Sequence, residues 1–221
     1  MSKLSYPEQE KAAIYKVIAE RRDMRHFLPT PIPSEILYKL LEAAHHAPSV
    51  GLMQPWRFIR ITDQKIRNAI HAQVEDERIN TAMAIGEYEN TARMAEFMRL
   101  KVEGVLDCGE LLVASLCNHR EAHIFGRRTI PEMDLASVSC AIQNIWLAAR
   151  AEGIGMGWVS FFDPPKLASL LRMPEGAKPI AILCLGYVNS FYKSPMLVEE
   201  GWKTEKPISD MLMENYWINK D

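Results

Sequence analysis

Cysteine is scarce in this sequence, and no two cysteines stand close together. The four lie at positions 108, 117, 140 and 184, so the CxxC spacing of a thioredoxin-type site or a zinc cluster is missing. Apolar neighbours around Cys117, Cys140 and Cys184 favour buried, reduced thiols, as in cytosolic proteins. The sequence therefore predicts no metal site.

Long apolar runs and an excess of one charge are missing as well. No segment approaches the roughly 18 apolar residues of a membrane span, and residues 1–22 are too polar for a signal peptide. The formal charge of −2 gives no basic face of the kind that nucleic acid requires. These features predict a cytoplasmic protein without a membrane or nucleic-acid partner, and the length of 221 residues favours a single domain over residues 1–221.

Common catalytic and nucleotide-binding motifs are absent too. There is no Walker A loop, no HExxH and no GxSxG. Glycines at 153, 155 and 157 resemble a Rossmann fingerprint only superficially, because that motif follows a strand and opens a helix, whereas this run follows a helix and opens a strand. The run indicates either close approach of the backbone to a flat ligand, with Ser160 at its far end, or close packing.

The hydrophobic pattern predicts helices and strands without regular alternation. The most apolar helix, Asp134 to Ala151, should be central, because it has little polar surface. Strands are predicted at Arg57 to Thr62, Leu111 to Cys117, Gly155 to Phe162 and Pro179 to Val188. This arrangement indicates an α+β fold rather than a doubly wound parallel sheet.

Two peripheral segments have distinctive compositions. Residues 72–104 combine many charges with scattered methionines, which fits either a lid over a site or an ordinary pair of surface helices. The tail, residues 189–221, contains Trp202, Tyr216 and Trp217. A tail with that much aromatic surface is expected to pack against a second subunit.

Three arginines follow the first predicted helix, at positions 21, 22 and 25. Guanidinium groups bind phosphate through paired hydrogen bonds, so the cluster suits a phosphorylated ligand, although cations at a helix C-terminus can also simply complement its dipole. Arg21 shares a helix face with Ile14 and Ile18, which favours an inward position. Asp23 is either a general base beside such a ligand or a salt-bridged loop residue.

The loop from Pro48 to Trp56 has a tight backbone fixed by two prolines and Gly51. It can present amides, the Ser49 hydroxyl and the Gln54 amide to a planar ring. The alternative is a plain connector between a helix and a strand.

Together these residues resemble the FMN-dependent nitroreductase superfamily across nearly the whole chain. The matching motifs are, in order, Arg21-Arg22-Asp23-Met24-Arg25, Ala47-Pro48-Ser49, Gln54-Pro55-Trp56, Gly155 to Ser160 and Ala181 to Tyr187. Asp23 replaces the serine of ordinary nitroreductases, and Leu52 replaces their asparagine. Both departures resemble the branch that makes 5,6-dimethylbenzimidazole, the lower ligand in cobalamin (vitamin B12) biosynthesis.

The resemblance implies a nitroreductase-like fold with a mixed central sheet flanked by helices, in an intertwined homodimer with an FMN site at each subunit interface. The segment Arg21, Arg22, Met24 and Arg25 would hold the phosphate and ribityl end, and Ser49 and Gln54 would lie near the ring. Gly157, Trp158 and Ser160 would line the redox-active edge. Relatives often carry a cation two residues before a C-terminal proline, where this chain has Glu205, so Lys203 or Lys206 is the predicted substitute.

The implied reaction is the oxygen-dependent fragmentation of reduced FMN to 5,6-dimethylbenzimidazole and erythrose 4-phosphate. Asp23 would be the base near the ribityl C1′, and Ser160 would hydrogen-bond the flavin near N5. O2 is then a co-substrate, and NAD(P)H acts only indirectly, through a separate flavin reductase. Two alternatives stay open: an NAD(P)H-dependent nitroreductase or flavin reductase, and a non-catalytic flavin-binding protein.

Overall fold

A four-stranded sheet forms the centre of the computed structural model, which describes residues 4–218. The strands are β1 (Trp56–Arg60), β2 (Glu110–Leu116), β3 (Ile154–Val159) and β4 (Lys178–Tyr187), in the spatial order β1-β2-β4-β3. Neighbouring strands are antiparallel, and a parallel bridge joins Asp23 to Met156 of β3. The predicted α+β class is confirmed, and the parallel component of the sheet is confined, in residues 4–218, to that bridge.

Helices cover both faces of this sheet. They are α1 (Glu8–Glu20), α2 (Ser34–His45), α3 (Gln64–Tyr88), α4 (Thr91–Arg99), α5 (Met133–Ala151), α6 (Pro164–Leu170) and α7 (Met196–Glu199). Asp63 and Asp163 cap α3 and α6 by accepting backbone N–H bonds, which satisfies donors that a helix start leaves unpaired. No helix within residues 4–218 is both long and apolar enough to cross a membrane.

Helix α5 is central, as its apolar sequence predicts. Its buried residues pack with α2 and one face of the sheet in a single cluster that includes Leu40, Ile142, Ile145 and Leu183. All seven residues of β2 are buried, so both faces of that strand are covered. Each such aliphatic side chain contributes roughly 1.5–3 kcal/mol through burial, which fixes the frame that carries the site.

Residues 72–104 fall mainly into α3 and α4. Asn90 caps α4 by accepting the N–H of Arg93. Phe97 of α4 packs against Leu100 and Val102, with Trp202 of the tail beside them. The segment is therefore an ordered helix pair joined to the tail, and its action as a lid stays a prediction.

Some expectations about burial are wrong for the single chain. Helix α1 has no buried residue, and the apolar side of its predicted inward face is half exposed at Ile14 and Ile18, each 50% exposed. Cys140 is exposed and Cys117 only partly buried, whereas Cys184 is buried as predicted. Apolar periodicity identifies a helix face that is suited to burial, but it does not identify the surface that packs against this face.

Candidate active site

The segment after α1 runs alongside β3. The Met24 N–H donates to the Met156 carbonyl at 2.9 Å, and the Met24 side chain is buried. A Cβ at Gly157 would lie 2.4 Å from the Met24 carbonyl oxygen and 2.4 Å from Arg25 Nη1, and one at Gly155 would lie 3.0 Å from Met24 Cγ. Close packing, the alternative to a flat ligand, thus accounts for glycine at these two positions, against the Met24 backbone at Gly157 and against side chains at Gly155.

Asp23 and Arg25 form a bidentate salt bridge beside β3. Arg25 Nη1 and Nη2 donate to the two Asp23 carboxylate oxygens, each at 2.5 Å. Trp158 contributes both of its backbone groups, since its N–H donates to Asp23 Oδ1 at 3.0 Å and its carbonyl accepts from Arg25 Nη2 at 3.0 Å. The carboxylate is therefore fixed in orientation between the arginine and β3.

The environment of Asp23 suits a proton acceptor. Its side chain is 42% exposed, whereas that of Arg25 is 9% exposed. Burial raises the pKa of the Asp23 carboxyl above its usual value, although Arg25 and the Trp158 N–H act in the opposite direction. A carboxylate with a raised pKa is a better base near neutral pH than an ordinary one.

Asp23 opens onto a cavity of about 550 Å³. One wall comes from the end of α1 and the segment after it, and the other comes from the tail near α7. The lining residues are Ile18, Ala19, Arg21, Arg22, Asp23, Ser194, Pro195, Met196, Leu197 and Glu205. The volume lies in the range of sites for cofactors and other small ligands, about 300–1,000 Å³.

The two cavity arginines are held by their surroundings. Arg22 donates to the carbonyls of Ala19, Arg21 and Lys193. Its buried Nε has no hydrogen-bond partner among the described residues, and the same holds for Nε of Arg25. The three donated bonds fix the Arg22 guanidinium in the cavity wall.

Two tryptophans connect Arg21 to Asp23. The Arg21 guanidinium lies 4.4 Å from the centre of the Trp146 ring, and burial lowers its pKa. Trp146 donates from Nε1 to the Arg22 carbonyl at 3.1 Å, and its ring lies 6.3 Å from that of Trp158. This packing holds Arg21 against the face of Trp146 and fixes the backbone just before Asp23.

The Ser49 loop forms a separate group. Ser49 Oγ accepts the Gln54 N–H at 3.0 Å, and Ser137 Oγ of α5 accepts the Val50 N–H at 3.0 Å. Leu52 and Gln54 have φ of 54° and 47°, a left-handed conformation that costs of order 1–3 kcal/mol per non-glycine residue. Such strain persists where the surrounding structure imposes it, and it favours a functional loop.

The chain thus brings together only part of the predicted site. Arg21, Arg22 and Asp23 share the cavity, and Met24, Arg25, Gly157 and Trp158 support them from behind. Ser49, Gln54, Ser160 and Lys203 are not among the described residues that line it. Ser160 and Lys203 are exposed, whereas Glu205 reaches the cavity. The binding roles of all these residues stay predictions.

Tyr192 is a contact that the sequence analysis missed. Its hydroxyl accepts the Arg25 backbone N–H at 3.3 Å and pairs with His26 Nδ1 at 2.7 Å. Burial raises the pKa of this phenol. The separation of 167 residues from Arg25 leaves no local sequence signal for the contact.

The sequence profile described as the nitroreductase family matches residues 18–187, which include the arginine segment, the Ser49 loop and β3. The chain belongs to the nitroreductase family. This nitroreductase-family chain is 39% identical over 190 residues to the 5,6-dimethylbenzimidazole synthase of Rhodospirillum rubrum, covering 85% of this chain and 87% of that protein.

Solved structures show the same fold for this nitroreductase-family chain. A BluB-like flavoprotein from Clostridium difficile 630 superposes with a TM-score of 0.68 at 18% identity, over 97% of this chain and 100% of that one. Oxidized iodotyrosine deiodinase bound to FMN and 3-iodo-L-tyrosine gives a TM-score of 0.69 at 21% identity, over 92% of this chain and 100% of that one. At these identities the two structures support the architecture alone.

Proposed function

We propose that this chain is a 5,6-dimethylbenzimidazole synthase, which converts reduced FMN and O2 to 5,6-dimethylbenzimidazole and erythrose 4-phosphate. The observation that carries the proposal is the Asp23 carboxylate, which lines the cavity, is held by Arg25 and the Trp158 N–H, and has its pKa raised by burial. An ordinary nitroreductase, which passes hydride from NAD(P)H, has no need of a fixed base at that position. The relationship to the Rhodospirillum rubrum enzyme supports the same reaction.

The arginines provide the phosphate end of the site. Arg21 and Arg22 line the cavity, and their guanidinium groups supply the positive charge that a phosphate requires. Arg25 and Met24 act from behind, because Arg25 is buried against Asp23 and Met24 is buried under β3. In the proposed complex, a sugar phosphate bound by Arg21 and Arg22 lies next to Asp23.

Reduced FMN supplies the oxygen-reactive ring and the carbon skeleton of the product. Asp23 accepts a proton near the ribityl C1′, and Ser160 donates a hydrogen bond near N5. Trp158 holds the Asp23 carboxylate through its backbone N–H, and the Trp146 ring lies 6.3 Å from the Trp158 ring. Gly157 leaves room for Arg25 to reach the carboxylate.

A homodimer completes this site in the proposal. Ser49 and Gln54 lie outside the cavity of their own chain, so they reach the flavin ring across a subunit interface. The exposed apolar side chains of α1, Ile14 and Ile18, provide surface for such an interface. The tail supports it with further exposed apolar residues, namely Ile208, Met211, Leu212, Tyr216 and Trp217; its last residues, 219–221, lie outside the described part of the chain.

Further parts of the proposal concern access and electrons. Residues 72–104 act as the lid, and Lys203 stays a predicted phosphate contact. A separate flavin reductase in the cytoplasm supplies the reduced FMN, and NAD(P)H serves that reductase.

Aerobic incubation tests the proposed function. The protein is mixed with FMN and a chemical or enzymatic reducing system, and 5,6-dimethylbenzimidazole is separated by chromatography. We expect product from the native chain, and from Asp23→Asn we expect retained FMN binding with most of the product lost. Only oxidised FMN and peroxide would indicate a carrier, and rapid nitro-compound turnover with NAD(P)H and intact flavin would indicate an ordinary nitroreductase.

A further inference from the structure

A histidine and two glutamates converge at the base of the α3–α4 pair, away from the residues that line the active-site cavity. His71 and Glu75 lie on α3, and Glu103 lies in the connector between α4 and β2. One ligand-type atom from each residue lies within 4.8 Å of the other two. The proposed flavin chemistry uses none of the three.

The local structure holds these groups in place. His71 and Glu75 are one helical turn apart, so their side chains lie on the same face of α3. Glu103 is buried, and its Oε2 accepts the Val105 N–H at 2.6 Å. Its Oε1 faces His71 Nε2 at 4.0 Å, which is too long for a hydrogen bond. The three donors converge, yet the imidazole does not pair with the buried carboxylate.

Two cations lie beside the carboxylates, and each has a second partner. Arg78 pairs with Glu75 at 3.0 Å and also donates to the Met98 carbonyl at 2.9 Å. Lys101 lies 3.3 Å from Glu103 Oε1, but its shorter contact, 2.9 Å, is with Asp107. Both cations therefore keep an acceptor when the two glutamates turn towards a metal ion.

We propose that His71, Glu75 and Glu103 bind one divalent transition-metal ion of the Zn²⁺ class. One imidazole nitrogen with two carboxylate oxygens is a donor set that Zn²⁺ accepts, with water in a fourth position. Tetrahedral coordination at Zn–ligand distances near 2.1 Å puts ligand atoms about 3.4 Å apart, so modest side-chain rotation closes the site. The ion bridges α3 to the connector after α4 and fixes the base of residues 72–104.

Calorimetry with ZnCl2 tests this site without reference to catalysis. The full chain, stripped with a chelator and free of FMN, is titrated in a non-coordinating buffer. We expect one saturable Zn²⁺ per chain. Loss of a residue that only supports a metal ligand weakens metal binding by roughly 10–100-fold. Loss of a ligand itself should weaken Zn²⁺ binding by at least as much, and this is the expected result for His71→Ala, Glu75→Gln and Glu103→Gln.

Matched controls separate this site from others on the surface. His46→Ala removes an exposed histidine, and Asp76→Asn removes an exposed carboxylate next to Glu75; both should bind Zn²⁺ as the native chain does. His71 and Glu75 are only partly buried, so the His71→Ala and Glu75→Gln variants should stay folded, which circular dichroism can verify. These two variants therefore test the site even if Glu103→Gln unfolds. Absence of saturable binding, or full binding in folded His71→Ala and Glu75→Gln, would overturn the proposal.

Discussion

Replacing Arg25 by methionine should release the Asp23 carboxylate from its fixed orientation. The loss in the free energy of unfolding can be derived from the contacts that Arg25 makes. The change removes two 2.5 Å bonds to the Asp23 carboxylate and the 3.0 Å bond to the Trp158 carbonyl. Breaking a fully buried ion pair costs about 3–5 kcal/mol. Asp23 is 42% exposed and keeps the Trp158 N–H, so solvent screening reduces the expected loss to about 2 kcal/mol.

A double-mutant cycle isolates the pair from general packing. Asp23→Asn leaves the buried Arg25 guanidinium without its counter-ion but also removes the desolvation of the carboxylate, which raises the Asp23 pKa, so this change alone should cost less than Arg25→Met. In the Asp23→Asn background, Arg25→Met should then cost less, by about 1 kcal/mol or more, than in the native chain. Arg25→Lys should recover only part of the loss, because an ammonium group cannot bridge both carboxylate oxygens and the Trp158 carbonyl.

The assay is urea unfolding of FMN-free protein, followed by tryptophan fluorescence and circular dichroism at one fixed protein concentration. The free energy of unfolding is compared for the four members of the cycle. The claim that Arg25 holds the carboxylate would be refuted by either of two results. One is a free energy of unfolding for Arg25→Met within about 0.5 kcal/mol of the native chain, and the other is additive effects of the two changes.

The same pair sets the expected pH dependence. The folded-state pKa of Asp23 is raised, so between its unfolded and folded pKa values the folded state binds the extra proton, and the stability contribution of Asp23 falls as pH rises through that window. A base must be ionised, so benzimidazole formation should rise across the same window. Arg25→Lys should move that rise to higher pH, because a weaker ion pair leaves desolvation less opposed. A rise that stays at the native pH would separate Asp23 from the rate-determining proton transfer.

Three further changes test the surroundings of the carboxylate. Tyr192→Phe leaves the Arg25 N–H without its acceptor, so unfolding should become about 1 kcal/mol easier and product yield should fall with FMN affinity retained; unchanged yield would limit Tyr192 to packing. Gly157→Ala forces a Cβ to within 2.4 Å of the Met24 carbonyl, which should cost about 1–3 kcal/mol in thermal or urea unfolding, whereas native stability would contradict the close packing. Ser160→Gly should bind FMN normally but form less 5,6-dimethylbenzimidazole by chromatography, and native turnover would remove Ser160 from the chemistry.

Local rules predicted much of the fold from the sequence. The strand at Lys178–Tyr187 was expected within a residue of its ends, because a continuous apolar run indicates a strand buried on both faces. The caps that Asp63 and Asp163 form are equally local, because each carboxylate accepts an N–H from a residue only two or three positions away. The relation of the arginine segment to β3 could not be predicted in this way. It depends on one parallel bridge, from Asp23 to Met156, between distant parts of the chain.

The side-chain partners within the site were beyond sequence reasoning for the same reason. Three arginines in five residues look equivalent along the chain, yet the fold points Arg21 and Arg22 at the cavity and turns Arg25 onto Asp23. The two interpretations of Asp23, general base and salt-bridged residue, are therefore compatible. The ion pair orients the carboxylate and offsets part of its desolvation, while the remaining exposure leaves one side open to a ligand. A carboxylate that was fully neutralised or fully buried could not be oriented by an ion pair and also accept a proton from a ligand.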